Sequence, residues 1–217
     1  MTATDQKSRE ALYRRLMEEI KERMDILKQF CVEDPRPKHG LPHARAQEFC
    51  YLELRFVCEL IALASLVAHG DIAATKHPKL RKEYKPGVIL DEMLRLNPDF
   101  YPRACDQRLD EKGRLAGWSI ARDPLTQKHL NELWIESGRF LHRGNINDIE
   151  SEKRPDFYRL TQWHNKIRRL LNIHIVCLVD RKTAFCVVLN EEQTGGVVMV
   201  QMDRWISPDG MEWYSVH

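Results

Sequence analysis

Between Phe49 and Ala68 the chain places apolar side chains on nearly every face of a helix, interrupted chiefly by Glu53, Arg55, Glu59 and Ser65. Such a helix cannot lie on a surface, because each apolar face left in water costs roughly 25 cal/mol per Å². The segment from about residue 44 to 69 is therefore expected to be the central element of a bundle, stopped by Gly70.

Other helices must surround it, and the sequence supplies candidates. Residues 8–30 repeat Leu12, Leu16, Ile20, Met24 and Leu27 at three- and four-residue steps, and Pro35, Pro37, Gly40 and Pro42 then enforce a loop. Pro86 suits a first helical position, with Val88, Ile89, Met93 and Leu94 following before Asn97-Pro98. Asp123-Pro124 reads as a cap followed by proline, opening a helix to about His142 whose buried face carries Leu130, Leu133, Trp134 and Leu141. Pro155-Asp156 opens a last helix bearing Phe157, Leu160, Trp163, Ile167 and Leu170.

Beyond residue 172 the pattern changes. Short β-rich runs at 173–180, 184–190, 197–203 and 211–216 alternate with turn-type sequences, the signature of an antiparallel meander. Residues 97–121 read as irregular, apart from a hairpin turn at 110–113 that runs into 114–120. The expected fold class is α+β: a mainly helical bundle over about 8–172, then a small C-terminal meander over 173–217 packed on it as one unit.

Charge narrows the function. With 34 basic and 32 acidic residues the net charge is +2, too balanced for nucleic-acid or membrane binding through bulk charge, so only local clusters could serve. The polar start is unlike a secretory leader, and the longest apolar run, 56–68, is too short to cross a bilayer and contains Glu59. Six cysteines without Cys-x-x-Cys pairs, several in apolar stretches, suit reduced thiols and a cytoplasmic location. No phosphate-binding glycine loop, nucleophile elbow or dinucleotide turn is present, so no cofactor is expected.

Several groups could carry chemistry. Arg55 and Glu59 lie one turn apart on the central helix, where a charge must be paired or neutralised. They either close on each other as a structural ion pair or face a site. Glu136, Arg139, His142 and Arg143 project from neighbouring turns near the end of a later helix, as a capping cluster or a functional one. Cys31, His39, His43 and Cys50 have ligand types that suit zinc but lack the short clip, the alternative being a proline-rich connector. Lys166, Arg168 and Arg169, continuing to Arg181 and Lys182 with Trp163 and His164 nearby, form either a phosphate-contacting edge or a solvated face. A small-molecule pocket between the central helix and the Trp134 and Trp163 helices is a further possibility.

The central helix, with Leu54 to Leu63, and the later one, ending Gly138 to Gly144, together resemble the HEPN superfamily over residues 44–172. These are small helical bundles of bacterial toxins, abortive-infection proteins and RNA-processing factors. The resemblance implies a homodimer and, in catalytic members, metal-independent RNA cleavage by an arginine followed by a polar residue and then a histidine four to six residues on. Arg122 and His129, with six residues between them and Asp123 next, fit that spacing, whereas Arg139 and His142 are closer than it. If catalytic, His142 or His129 would move the proton, and Arg139 or Arg122 would stabilise charge on phosphorus. Two functions follow as expectations: RNA binding or cleavage in a stress or phage-defence setting, or a non-catalytic helical scaffold acting through a second copy or a partner.

Overall fold

A computed structural model describes residues 3–33, 42–70, 72–109, 111–112, 115–142, 156–180, 182–191, 194–206 and 212–216. Helix α1 spans Ala3–Leu27 and continues into a π-helical turn, Lys28–Glu33, so it starts earlier than its apolar spacing suggests. Helix α2 is His43–Ala68, α3 is the single turn Pro78–Arg81, and α4 is Pro86–Leu96. Strands β1 (Arg103–Leu109) and β2 (Leu115–Ile120) follow, then α5 (Gln127–Leu141) and α6 (Phe157–Leu171). Strands β3 (Ile173–Cys177), β4 (Thr183–Val188), β5 (Val198–Ile206) and β6 (Glu212–Val216) complete the order. The α+β class stands, and no helix among the described residues is long and apolar enough to cross a membrane.

Helix α2 is central, packed by α1, α4, α5 and α6, but it is not surrounded on every side. Leu52, Arg55, Phe56, Glu59 and Leu63, at three- and four-residue steps, form a stripe that reaches the surface, with Phe56 36% exposed. Glu53, one of the interruptions of the apolar run, is buried at 7% and is held by Arg23 of α1 at 2.8 Å. That guanidinium also lies 4.6 Å over the Phe56 ring, covering part of its apolar surface.

Helix α5 begins three residues later than its apparent signal. Asp123 has φ +51°, a left-handed conformation that cannot cap, and its carboxylate is engaged by Lys166 and by Arg169 at 3.5 Å. Thr126 is the cap: its hydroxyl accepts the His129 N–H at 3.2 Å, while His129 Nδ1 accepts the Thr126 N–H at 3.4 Å. Asp156 caps α6 by accepting the Arg159 N–H at 2.9 Å.

The stretch 97–121 is more ordered than its composition suggests. The hairpin β1–β2 forms, and β1 then pairs with β3, so all six strands make one antiparallel sheet in the order β2-β1-β3-β4-β5-β6. Strands β1 and β2 therefore share one sheet with the strands beyond residue 172. One sheet face, with Val176, Phe185, Val187 and Met199, joins the helical core, while Ile175, Cys177, Ala184, Cys186 and Met202 form a second cluster on the other. Trp118 and Tyr214, from strands β2 and β6 at opposite edges, both pack on that second cluster.

Polar clamps lock the sheet onto the helices. Asn97 Nδ2 donates to the Cys177 carbonyl at 3.0 Å and to His69 Nε2 at 2.9 Å, and His69 Nδ1 donates to the Ser65 carbonyl at 2.8 Å. Asn97 Oδ1 accepts the Asp99 N–H at 3.1 Å, which fixes the amide orientation and so the imidazole tautomer. Arg204 of β5 donates to Asp99 at 3.2 and 3.3 Å.

A third clamp lies in the core, where the Tyr13 hydroxyl donates to His174 Nε2 at 2.9 Å and His174 Nδ1 donates to the Leu171 carbonyl at 2.9 Å. Burial pushes the His174 pKa down to about 4. An unfolded histidine titrates near 6.5, so between those values the unfolded chain holds the extra proton. This clamp therefore contributes fully above about pH 6.5, and roughly 3 kcal/mol of stability is lost as pH falls towards 4. Urea unfolding from pH 7 to 4 should show that slope, and His174→Gln should flatten it while lowering stability at pH 7. An unchanged slope in the variant would assign the acid sensitivity elsewhere.

Candidate functional site

Two polar constellations flank the α2–α5 contact, one on each side of the buried row Leu130, Leu133 and Ser137. On the first flank, Arg55 and Glu59 close on each other at 3.3 Å, with side chains 22% and 19% exposed. Trp134 joins them: its indole N–H donates to Glu59 at 3.0 Å, and the Arg55 guanidinium lies 4.2 Å over its ring. Gly138, one turn on, leaves Arg55 room, since a β-carbon there would sit 3.1 Å from its Nη1, a few tenths of an ångström tighter than ordinary contact. The pair is thus half-buried and satisfied, not a charge stranded in a dry core. No hydrogen bond or ion pair among the described residues joins it to Arg139 or His142.

The second flank is centred on Glu136 of α5. Its carboxylate accepts from the Tyr51 hydroxyl (2.8 Å), the Trp163 indole (3.1 Å) and Arg159 (2.9 and 3.3 Å). Burial works against its charge, but the hydrogen bonds from Arg159, Tyr51 and Trp163 outweigh that and hold the carboxyl below the usual range. Arg159 also stacks 4.4 Å over Trp163, Phe140 stacks on Tyr51 with centroids 3.9 Å apart, and His129 meets Trp163 edge-on at 6.3 Å. Tyr51, Arg159 and Trp163 were not legible as partners of Glu136. The visible trace is that Arg159 and Trp163 lie one turn apart on the same helix, the spacing that permits the stack.

The remaining expected residues are dispersed. Arg139 is exposed, and His142 is the exposed residue that ends α5, its backbone N–H reaching the Gly138 carbonyl at 3.1 Å. Arg122 is exposed beside the Asp123 turn. His129 is occupied as the capping partner of Thr126, so Arg122 and His129 do not form an open pair. Arg143 lies outside the described residues. Lys166 and Arg169 converge on Asp123, whose carboxyl the Lys166 hydrogen bond holds below its ordinary value, so this basic edge is partly neutralised.

For a metal, Cys31 and Cys50 are both buried, but the Cys31 thiol donates to the Leu27 carbonyl, His39 lies outside the described residues, and His43 packs edge-on against Phe157 at 5.9 Å. Among the described residues there is no group of three or more His, Cys, Asp or Glu side chains placed to hold an ion. Surface grooves of about 530 Å³ beside α3 and α4, about 490 Å³ beside β1, and about 490 Å³ between α1 and α2 are not lined by Trp134 or Trp163. Comparison with family models, curated proteins and solved structures gave no match.

The geometry makes Glu136 a hub: one carboxylate, on α5, gathers donors from α2 and α6. Replacing it by alanine leaves a guanidinium, a phenol and an indole without their acceptor. Glu136→Ala should cost about 2 kcal/mol in urea unfolding at pH 7, and Glu136→Gln, which keeps an acceptor, less than half of that. Equal losses from the two variants would mean that the acceptor does not hold the helices together.

Proposed function

We propose that the chain binds single-stranded RNA along α5, α6 and the turn before α5, as a HEPN-like protein of the cytoplasm in a stress or phage-defence setting. The observation that carries this reading is the charge distribution. Residues 122–142 and 156–172 hold seven Lys and Arg against four Asp and Glu, while the whole chain is +2. All of the excess positive charge thus belongs to these two helices and their lead-in, as phosphate neutralisation requires. Aromatic surface accompanies it: Phe140 is 37% exposed and stacked from behind by Tyr51, and Tyr158 is 74% exposed. Such rings offer platforms to unpaired bases without selecting among them.

Binding fits this arrangement better than cleavage does. Glu136 and Arg159 are committed to each other and to Tyr51 and Trp163, which positions the face but leaves neither free to transfer a proton or meet an in-flight phosphorane. Arg139 and His142 stand at the exposed end of α5.

Fluorescence anisotropy with a labelled single-stranded RNA, titrated over salt, tests the proposal. Phe140→Ala should weaken binding by roughly tenfold at constant salt slope, through the loss of one stacking platform. Arg168→Ala, on the exposed side of α6, should reduce the slope of log K against log salt by about one, and Lys166→Ala and Arg169→Ala, whose cations Asp123 already meets, by less. Absence of salt-sensitive binding would remove the proposal, and RNA cleavage in EDTA that is lost in His142→Ala would replace binding by catalysis.

A further inference from the structure

The three surface grooves differ in charge. The one beside α3 and α4 is lined in part by Glu83, Asp91 and Glu92, and the one between α1 and α2 by Glu18, Glu19, Glu22 and Glu53. The groove of about 490 Å³ beside β1 has no carboxylate among the described residues that line it. Its walls are aliphatic: Pro102, Ala104, Ile120, Pro124, Leu125 and Leu170. A concave, mainly apolar surface of this size can take a small molecule, and here an anion meets no like charge in the lining.

Hydrogen bonds fix these walls. Leu125, fully buried, is clamped from both sides: its N–H donates to the Lys166 carbonyl at 3.0 Å, and its carbonyl accepts the Tyr101 hydroxyl at 3.1 Å. That bond commits the phenol of Tyr101, which lines the same groove and so adds its ring as apolar surface. At the end of β2 the Ala121 N–H donates to the Ala104 carbonyl at 3.0 Å, which holds the neighbouring Ile120 in place. Ile120 is 85% exposed, more than any other large apolar side chain among the described residues. Walls set in advance cost a ligand little ordering.

The polar part of the lining is cationic or neutral: Arg103, Thr126, Gln127 and Lys128. Arg103 is paired with Asp99 at 3.2 Å, whereas Lys128 has its side chain 85% exposed and Glu132 only loosely by it at 3.7 Å. Just outside, Lys166 and Arg169 share the single carboxylate of Asp123, and Arg169 directly precedes Leu170 of the wall. Positive charge thus exceeds negative around the groove. A nucleobase suits it poorly, because base edges carry several donors and acceptors, while the uncharged partners in the lining side chains are Gln127 and a Thr126 hydroxyl that already accepts the His129 N–H.

We infer that this groove is a binding site for a free single-chain amphiphile, an aliphatic chain ending in a carboxylate or phosphate. The chain lies against Pro102, Ile120, Pro124 and Leu125, and the anionic head meets Lys128. The inference stands independently of RNA binding: Phe140 lies at the other end of α5 from this groove, and Tyr158 at the other end of α6 from Leu170.

The full-length protein is titrated with dansyl-labelled undecanoic acid, whose emission rises and shifts to the blue in an apolar site. The expected result is a saturable rise that decanoate reverses and adenosine monophosphate does not. Ile120→Asn, neutral and at an exposed position, should weaken probe and decanoate about fivefold through lost apolar contact. Lys128→Gln should weaken decanoate about threefold and leave displacement by decanol unchanged. No saturable rise, or equal affinity in Ile120→Asn and the parent protein, overturns the inference. Displacement by adenosine monophosphate but not by decanoate overturns it in favour of a nucleotide. Cosedimentation with phosphatidylglycerol vesicles that Ile120→Asn abolishes and decanoate does not reverse overturns it in favour of a membrane surface.

Discussion

A carboxylate can be drawn halfway out of water only where fixed donors replace the water it loses. Glu136 meets that condition with groups from two other helices: the phenol of Tyr51 on α2, and the indole and guanidinium of Trp163 and Arg159 on α6. The exchange is not a large net gain, since desolvation takes back much of what the hydrogen bonds give. Its importance lies in direction. Apolar packing says that helices must touch, whereas a carboxylate with four hydrogen bonds says at which rotation and at which height. The same logic repeats on the opposite flank, where Glu59 accepts from Trp134 while Arg55 covers the ring.

What the sequence disclosed and what it concealed divide along physical lines. The central helix could be read because burial writes itself into local composition, and the meander because strands alternate with turn residues. The open stripe on α2 could not, because Phe56 and Leu63 within it are apolar and only Arg23 lying over Phe56 explains how an apolar residue is kept at the surface. Asp123-Pro124 is a correct local signal overruled from afar: Lys166 and Arg169 hold the aspartate, and Thr126 takes over as cap. The pairing of β1 with β3 left no local mark either, since the two strands are about seventy residues apart in the chain and nothing in either segment names the other.

For the candidate site the division is similar. Residue types were visible, partners were not. Arg55 with Glu59 could be paired from their spacing on one helix. Glu136 suggested Arg139 by the same rule, yet its cation arrives from α6, because Arg139 projects into solvent while Arg159 lies across from the carboxylate on the neighbouring helix. Spacing rules describe one helix at a time, and a hub joining three helices lies beyond them.

The strand order carries a consequence for how the chain must be made. The hairpin β1–β2 leaves the ribosome long before β3, and its inner edge, at Arg103 and Ala104, has no partner until Ile175 and His174 emerge. During that interval the unpaired edge is a template for any extended segment, including one from a neighbouring nascent chain. Helix α6 leads straight into β3, with Leu171 and Ile173 separated by one residue, so the docking of that last helix is also the event that delivers the missing strand. Synthesis stopped after α6 would leave the hairpin β1–β2 with its inner edge bare, because every strand beyond it in the sheet comes later in the chain.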